Sequence, residues 1–259
     1  MTVQGEILSN QNLQDDYYKV EFYAPEICAK AQAGQFVHVQ IAHLRDRILR
    51  RPFSICDVDN QGRLTVVYKA VGIGTENLAK LPAGTVCDLM GPLGKPFTQA
   101  KADELPVIVA GGYGSAATYQ LSKLAPKGLL LLGARSKKDL ILTENFAQNG
   151  YEVLTSTEDG SHGEKGLVTK LLEQVISEHK DKKLHFYACG PTGMLMAMGK
   201  LLLAEGLDGE LSLDHLMCCG VGACFACVVK VKADNEDGWR YARTCKEGPV
   251  FMASEVYYG

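Results

Sequence analysis

Two hydrophobic periods divide the chain. Up to about residue 99, apolar and polar positions alternate in short stretches. Val37, Val39 and Ile41 line one face, and Leu64, Val66 and Tyr68 do the same after the Asn60-Gln61-Gly62 turn. Period-two alternation broken by turns predicts half-buried antiparallel strands, and several at this spacing predict a small β-barrel. From residue 100 the pattern changes: 105–110 is a continuous apolar run, and 129–133, 152–156 and 184–188 read as further buried strands. A strand buried on both faces needs such a run. A helix is predicted from Ser115 through Leu124, and Leu167, Leu171, Leu172, Val175 and Ile176 form a second helical stripe. Strands alternating with helices predict a parallel, doubly wound sheet, whose ligands bind beyond the strand C-termini. Those ends fall at 111–115, 133–135, 157–160 and 189–194. From about residue 210 a small third segment runs through Val228 to Val231, an acidic turn and a return strand. The predicted class is therefore α/β plus β: a barrel over 1–99, an α/β domain over 100–209 and a small C-terminal domain over 210–259.

The chain has 259 residues and a formal net charge of −3, with both signs interspersed. That length suits two domains and an appendage. No basic stripe suggests nucleic acid. No apolar run approaches the ~20 residues of a membrane span.

The third segment changes the picture most. Cys219, Cys224, Cys227 and, further on, Cys245 reproduce the C-x4-C-x2-C…C spacing of a plant-type [2Fe–2S] site. Glycine or alanine fills Gly220, Gly222, Ala223 and Ala226 of the loop, so its backbone can wrap tightly and turn N–H groups towards the sulfurs. Zinc is the alternative, but structural zinc sites use two close cysteine pairs. Cys218 adjoins the first ligand, and the spacing favours Cys219. Cys28, Cys56, Cys87 and Cys189 lie in apolar contexts expected of reduced core thiols. His215 could imitate a Rieske ligand, but that motif requires a second histidine in a matching sequence. His162 lies in a polar loop and receives no proton chemistry.

Two barrel features suit a dinucleotide. Arg50-Arg51-Pro52-Phe53-Ser54 sets a guanidinium and a hydroxyl on a stiff extended segment. Gly72-Ile73-Gly74-Thr75 is a glycine turn expected to open a helix at Thr75, where free N–H groups and an arginine can meet a pyrophosphate. Of the two arginines, one is expected in a surface ion pair.

Arg51-Pro52-Phe53-Ser54, Gly72-x-Gly74-Thr75, Gly91-Pro92-Leu93-Gly94, the glycine loop at 111–114, Cys189-Gly190-Pro191 and the cysteine loop follow one another in a known order. Over essentially its whole length the chain resembles the electron-transfer subunits of the two-subunit, NAD-dependent (class B) dihydroorotate dehydrogenases, a branch of the ferredoxin–NADP reductase superfamily. The resemblance implies FAD in the barrel, held by Arg51, Pro52, Phe53, Ser54, Lys69, Gly74 and Thr75. It implies NAD(H) on the middle domain at Gly112, Gly114, Cys189 and Gly190, and the cluster facing a partner. That partner would be an FMN-containing catalytic subunit that oxidises dihydroorotate in pyrimidine biosynthesis, joined in a cytoplasmic heterotetramer with two copies of each chain. This chain would contribute no catalytic residue to that oxidation.

One departure from the family pattern stands out. The family usually carries three consecutive glycines, an aliphatic residue, another glycine and then proline; this chain reads Ala110-Gly111-Gly112-Tyr113-Gly114-Ser115-Ala116-Ala117. Either the loop has drifted within a working NADH site, the reading favoured here, or electrons leave through a carrier other than nicotinamide. A stand-alone flavin and iron–sulfur reductase and a redox-sensing scaffold are the readings from other classes.

Overall fold

A computed structural model describes residues 1–44, 48–213 and 216–259. His215 lies outside the described residues.

The N-terminal segment folds as β1 (Thr2–Gln14), β2 (Tyr17–Tyr23), helix α1 (Pro25–Cys28), β3 (Phe36–Gln40), β4 (Arg51–Ser54), β5 (Asp57–Val58), β6 (Arg63–Lys69), helix α2 (Ile73–Leu78) and β7 (Val86–Leu93). The strands pair antiparallel in the order β4-β3-β7-β1-β2-β6-β5. The outer strands β4 and β5 are consecutive in the chain, so the sheet rolls upon itself as a barrel. Val37, Val39, Leu64, Val66 and Tyr68 fill it, as the alternation predicts. β3 departs from the half-buried expectation, because Phe36 and His38 on its other face are buried too. The third segment of the chain covers that face. Helix α2 starts at Ile73, two residues earlier than expected, because Thr75 Oγ1 accepts the Val71 N–H at 2.9 Å and closes the turn ahead of it.

The middle segment runs β8 (Glu104–Gly111), helices α3 (Gly114–Thr118) and α4 (Leu121–Leu124), β9 (Gly128–Ala134), helix α5 (Thr143–Gln148), β10 (Tyr151–Thr157), β11 (Glu164–Lys165), helix α6 (Val168–Glu178), β12 (Lys183–Cys189), helix α7 (Thr192–Ala204) and β13 (Gly209–Ser212). Its strands are parallel in the order β11-β10-β9-β8-β12-β13. The helix expected over 115–124 is two short pieces. The Thr118 hydroxyl bonds back to the Gly114 and Ser115 carbonyls, both at 3.2 Å, and such back-bonding bends a helix. Helix α6 buries Val168, Leu171, Leu172, Val175 and Ile176 against the sheet, at ~1.5–3 kcal/mol for each fully buried apolar side chain. Leu167 precedes the helix and is exposed.

The last segment adds β14 (Val228–Lys232), β15 (Trp239–Arg243) and β16 (Val250–Met252). β14 and β15 form a hairpin, whereas β16 pairs antiparallel with β13 at the edge of the parallel sheet. The segment has no separate core: Val231, Ala242, Phe251, Ala253 and Val256 join the hydrophobic cluster of helices α6 and α7. It also grips the barrel, where the Lys95 N–H donates to the Gly248 carbonyl at 2.6 Å. Gly94 makes this possible: its φ is +82°, and a Cβ there would lie 2.5 Å from the Pro249 ring. Among the described residues no helix is long and apolar enough to cross a membrane.

Candidate functional site

A cavity opens where the three segments meet. The barrel lines it with Phe36, Pro52, Phe53, Ser54, Tyr68, Lys69 and Thr75, the parallel sheet with Tyr113, Cys189 and Gly190, and the last segment with Met217 and Pro249. Apolar walls carrying a few polar groups are the usual make-up of a cofactor pocket. Phe53 meets Tyr68 edge-on with centroids 5.6 Å apart, so the floor is aromatic and stiff.

The barrel wall carries the fixed charges. Arg50 turns away, its Nε donating to Asp88 at 3.0 Å. Arg51 instead lies on the glycine turn: a Cβ at Gly74 would stand 2.9 Å from Arg51 Nε, so only glycine leaves room for the guanidinium. Lys69 Nζ donates to Asp139 at 2.7 Å, and Tyr17 Oη donates to the same carboxylate oxygen at 2.9 Å. Burial alone would raise the Asp139 carboxyl, but the bonds from Lys69 and Tyr17 outweigh it and hold it below the usual range. Burial first, and then Asp139, pushes the Tyr17 phenol up. Asp139 follows β9, so this trio ties the barrel to the parallel sheet beside the cavity.

The opposite wall is the topological switch point. The chain leaves β8 towards β9 on one side and returns to β12 on the other. The ends of β8 and β12 are therefore the place where an open α/β sheet binds nucleotides. Gly112 has φ +53°, in the left-handed region that favours glycine. Gly114 packs against the backbone of Cys189, and a Cβ there would collide with its carbonyl oxygen. Gly112 and Gly114 thus shape the loop, while Tyr113, half-exposed, and Cys189 and Gly190 reach the cavity itself.

Beyond Met217 on the third side runs the cysteine loop, whose cysteines do not themselves line the cavity. Gly220 and Gly222 have φ of +70° and +83°, and Phe225 is left-handed at +56°. Burial would raise the Cys219 thiol. The N–H groups of Val221, Cys224 and Ala223, with the Cys224 side chain, outweigh it and bring the thiol down to about 6. A sulfur ringed by backbone donors is a place for negative charge. Cys227 and Cys245 are buried and interact with each other, and burial first, then Cys227, pushes Cys245 up to about 12. Among the described residues no three metal-ligating side chains converge on one point. Cys219 interacts with Cys224, Cys227 with Cys245, and Cys219 in turn with Cys245, so the four thiols are neighbours. A mononuclear zinc site needs four ligands about one point, whereas a binuclear cluster gives two thiolates to each iron. This donor set fits the cluster. Cys218 lies beside Cys224.

Several residues here carried no sequence signal. Arg243 Nη1 donates to the Gly222 carbonyl at 3.0 Å, its guanidinium lies 5.1 Å from the Phe225 ring, and Glu247 accepts from its Nε at 3.0 Å. Hydrogen bonding by the Arg243 N–H, against the opposing effect of burial and with help from both arginine side chains, draws Glu247 down to about 2. Met217 and Pro249 come to the cavity only through the tertiary fold. His38 had a readable signal, as a polar residue inside an apolar strand. Burial first, then the Arg50 charge, lowers its imidazole to about 4.

Comparison with known proteins adds three matches along the chain. Residues 214–257 match the iron–sulfur cluster binding domain of dihydroorotate dehydrogenase B. Residues 108–200 match an oxidoreductase NAD-binding domain, and 3–117 an FAD-binding domain. The electron transfer subunit of dihydroorotate dehydrogenase B (NAD(+)) from Fusobacterium nucleatum is 36% identical over 254 residues, covering 95% of both chains. Its counterpart from Geobacillus kaustophilus is 38% identical over 263 residues, covering 96% of each. Among solved structures, an NADH-dependent reduced ferredoxin–NADP oxidoreductase superposes with a TM-score of 0.81 at 28% identity, over 98% of this chain and 90% of that one. A ferredoxin–NADP reductase from Neisseria gonorrhoeae shares the fold, with a TM-score of 0.64 at 16% identity over 79% of this chain and 92% of that one.

Proposed function

The chain belongs to the family of electron-transfer subunits of NAD-dependent dihydroorotate dehydrogenase B, and on that premise we propose how its segments divide the work. Residues 1–99 hold FAD, 100–209 hold NAD(H), and 210–259 hold the [2Fe–2S] cluster while lending the edge strand β16 to the middle sheet. One observation carries the reading: barrel, switch point and cysteine segment all wall a single cavity. FAD supplies the chemistry that joins a two-electron hydride carrier to a one-electron centre.

Each residue then has a task. Pro52, Phe53 and Ser54 line the flavin ring, while Arg51, Gly74 and Thr75 take the pyrophosphate, the arginine as a bidentate donor. Lys69, oriented by Asp139, sets a positive charge on the pocket wall. Gly112, Gly114, Cys189 and Gly190 shape the nicotinamide entrance, with Tyr113 at its mouth. Cys219, Cys224, Cys227 and Cys245 would hold the two irons of the cluster as thiolates.

Substrate oxidation takes place on an FMN-containing partner, two of which assemble with two of these chains. The apolar side chains exposed around the cluster loop, Leu216, Val221 and Phe225, support docking there. Free cysteines throughout and a role in pyrimidine synthesis suit the cytoplasm. Co-expression with an FMN-type dihydroorotate dehydrogenase tests this. A complex of two copies of each chain that forms orotate with NAD+ is expected, and a monomeric flavoprotein indifferent to that partner would refute it.

A further inference from the structure

The imidazole of His38 is the most anomalous buried group among the described residues. It is 0% exposed, and neither Nδ1 nor Nε2 has a hydrogen-bond partner. Buried polar atoms are nearly always paired, so two orphaned nitrogens on one ring call for an explanation. The position of the ring supplies one for the nitrogen that carries the proton. A Cβ placed on Gly220 would lie 2.9 Å from His38 Cε1 and 3.0 Å from both nitrogens. Gly220, the residue directly after Cys219, thus packs over the face of the imidazole at its Nδ1–Cε1–Nε2 end, and both nitrogens lie beside the cysteine loop. On its own strand, His38 pairs in register with Pro52, a wall of the cavity, and its ring is 5.6 Å from that of Phe36. Phe36 in turn packs with Met217, Cys227 and Cys245. His38 therefore stands between the proposed flavin pocket and the cysteine loop.

Resting on the cluster assignment above, we infer that His38 is a positioning residue for electron transfer: its imidazole N–H donates a hydrogen bond to a sulfur of the [2Fe–2S] centre on the Cys219 side. A neutral imidazole has one N–H to give, and an N–H aimed at cluster sulfur favours the more negative, reduced form. Gly220 fits the same picture, since any side chain there would push the ring away.

The holoprotein, labelled with 15N in the histidine rings only, tests this by pulsed EPR of the reduced cluster. A ring-15N coupling is expected in the wild type and should vanish in His38→Leu, which keeps the bulk without the nitrogens. The ratio of reduced to oxidised cluster at a given potential should fall about tenfold in that variant, ~59 mV for a one-electron couple, and recover in part in His38→Gln, which retains an N–H. A cluster signal without ring-15N coupling, or a coupling and potential unchanged in His38→Leu, would overturn the inference and leave the cluster assignment standing. Where His38→Leu fails to load its cluster, loss of the ring-15N coupling in His38→Gln decides the matter, because His215 keeps its labelled ring there. No cluster signal in the wild type would refute the assignment itself and the inference with it.

Discussion

The phenol of Tyr17, on the second barrel strand, donates a 2.9 Å hydrogen bond to the carboxylate of Asp139, 122 positions further along the chain. Lys69 meets the same oxygen from the barrel side and lies 4.8 Å from the Tyr17 ring. One carboxylate thereby ties the barrel to the segment after β9 and holds a cationic pocket residue in place. Asp139→Asn keeps the shape and removes the charge. It should cost ~1–3 kcal/mol of stability, the usual price of a disrupted buried charged hydrogen bond, and weaken FAD retention. Thermal unfolding and flavin-release fluorescence check this, and unchanged values in both would refute the linkage. Because the folded carboxyl is held below its ordinary range, this contribution is present above the unfolded value of about 3.9 and is lost as pH falls through the folded one.

The opposite pH dependence is expected at the far end of the sheet. His185 bonds Glu210 at 3.0 Å and Glu104 at 2.9 Å, and Glu210 also accepts the Thr98 hydroxyl at 2.6 Å. The bond to Glu210 raises the His185 imidazole, against burial, with Glu104 adding to the rise. Its stabilisation is therefore complete below the unfolded value of about 6.5 and declines as pH rises through the raised folded one. The Tm difference between wild type and His185→Gln should be larger at about pH 6 than at about pH 8. An equal difference at both would show that the charge on His185 contributes nothing.

Much of this architecture was legible in the chain because it depends on local pattern. The period change near residue 100 marked the two sheets, and the cysteine spacing marked the cluster loop. What escaped was set by tertiary partners. Phe36 looks like a solvent-facing position until the third segment covers it. The pairing of β16 with β13 joins residues 250–252 to 210–212 with nothing local to announce it. The break after Thr118 comes from one hydroxyl competing for helix carbonyls. Tyr17, Asp139 and Arg243 have ordinary neighbours in sequence and acquire their roles only through the fold.

The adjacent cysteines should separate cleanly. Cys219 sits in a ring of backbone N–H groups that Cys218 lacks. Cys218→Ala should load a full cluster with unchanged absorbance and EPR, whereas Cys219→Ala should lose it. The reverse pattern would shift the ligand set by one residue.

Tyr113 replaces the usual aliphatic residue at the mouth of the cavity and lines its wall. A bulky ring there competes with nicotinamide for space. Tyr113→Ile should lower KM for NADH several-fold with little effect on FAD content. A higher KM would mean that the phenol assists binding.

The central claim is that electrons pass between nicotinamide and the cluster through the flavin within this one chain. It is tested most directly by anaerobic titration of the cluster-replete protein with NADH, following flavin and cluster absorbance together. The account predicts that both bleach fully by about one and a half equivalents, because a flavin and a one-electron cluster together accept three electrons. Dithionite reducing both centres while NADH and NADPH reduce neither would contradict it, and the altered glycine loop would then mark a chain whose electrons leave by another carrier.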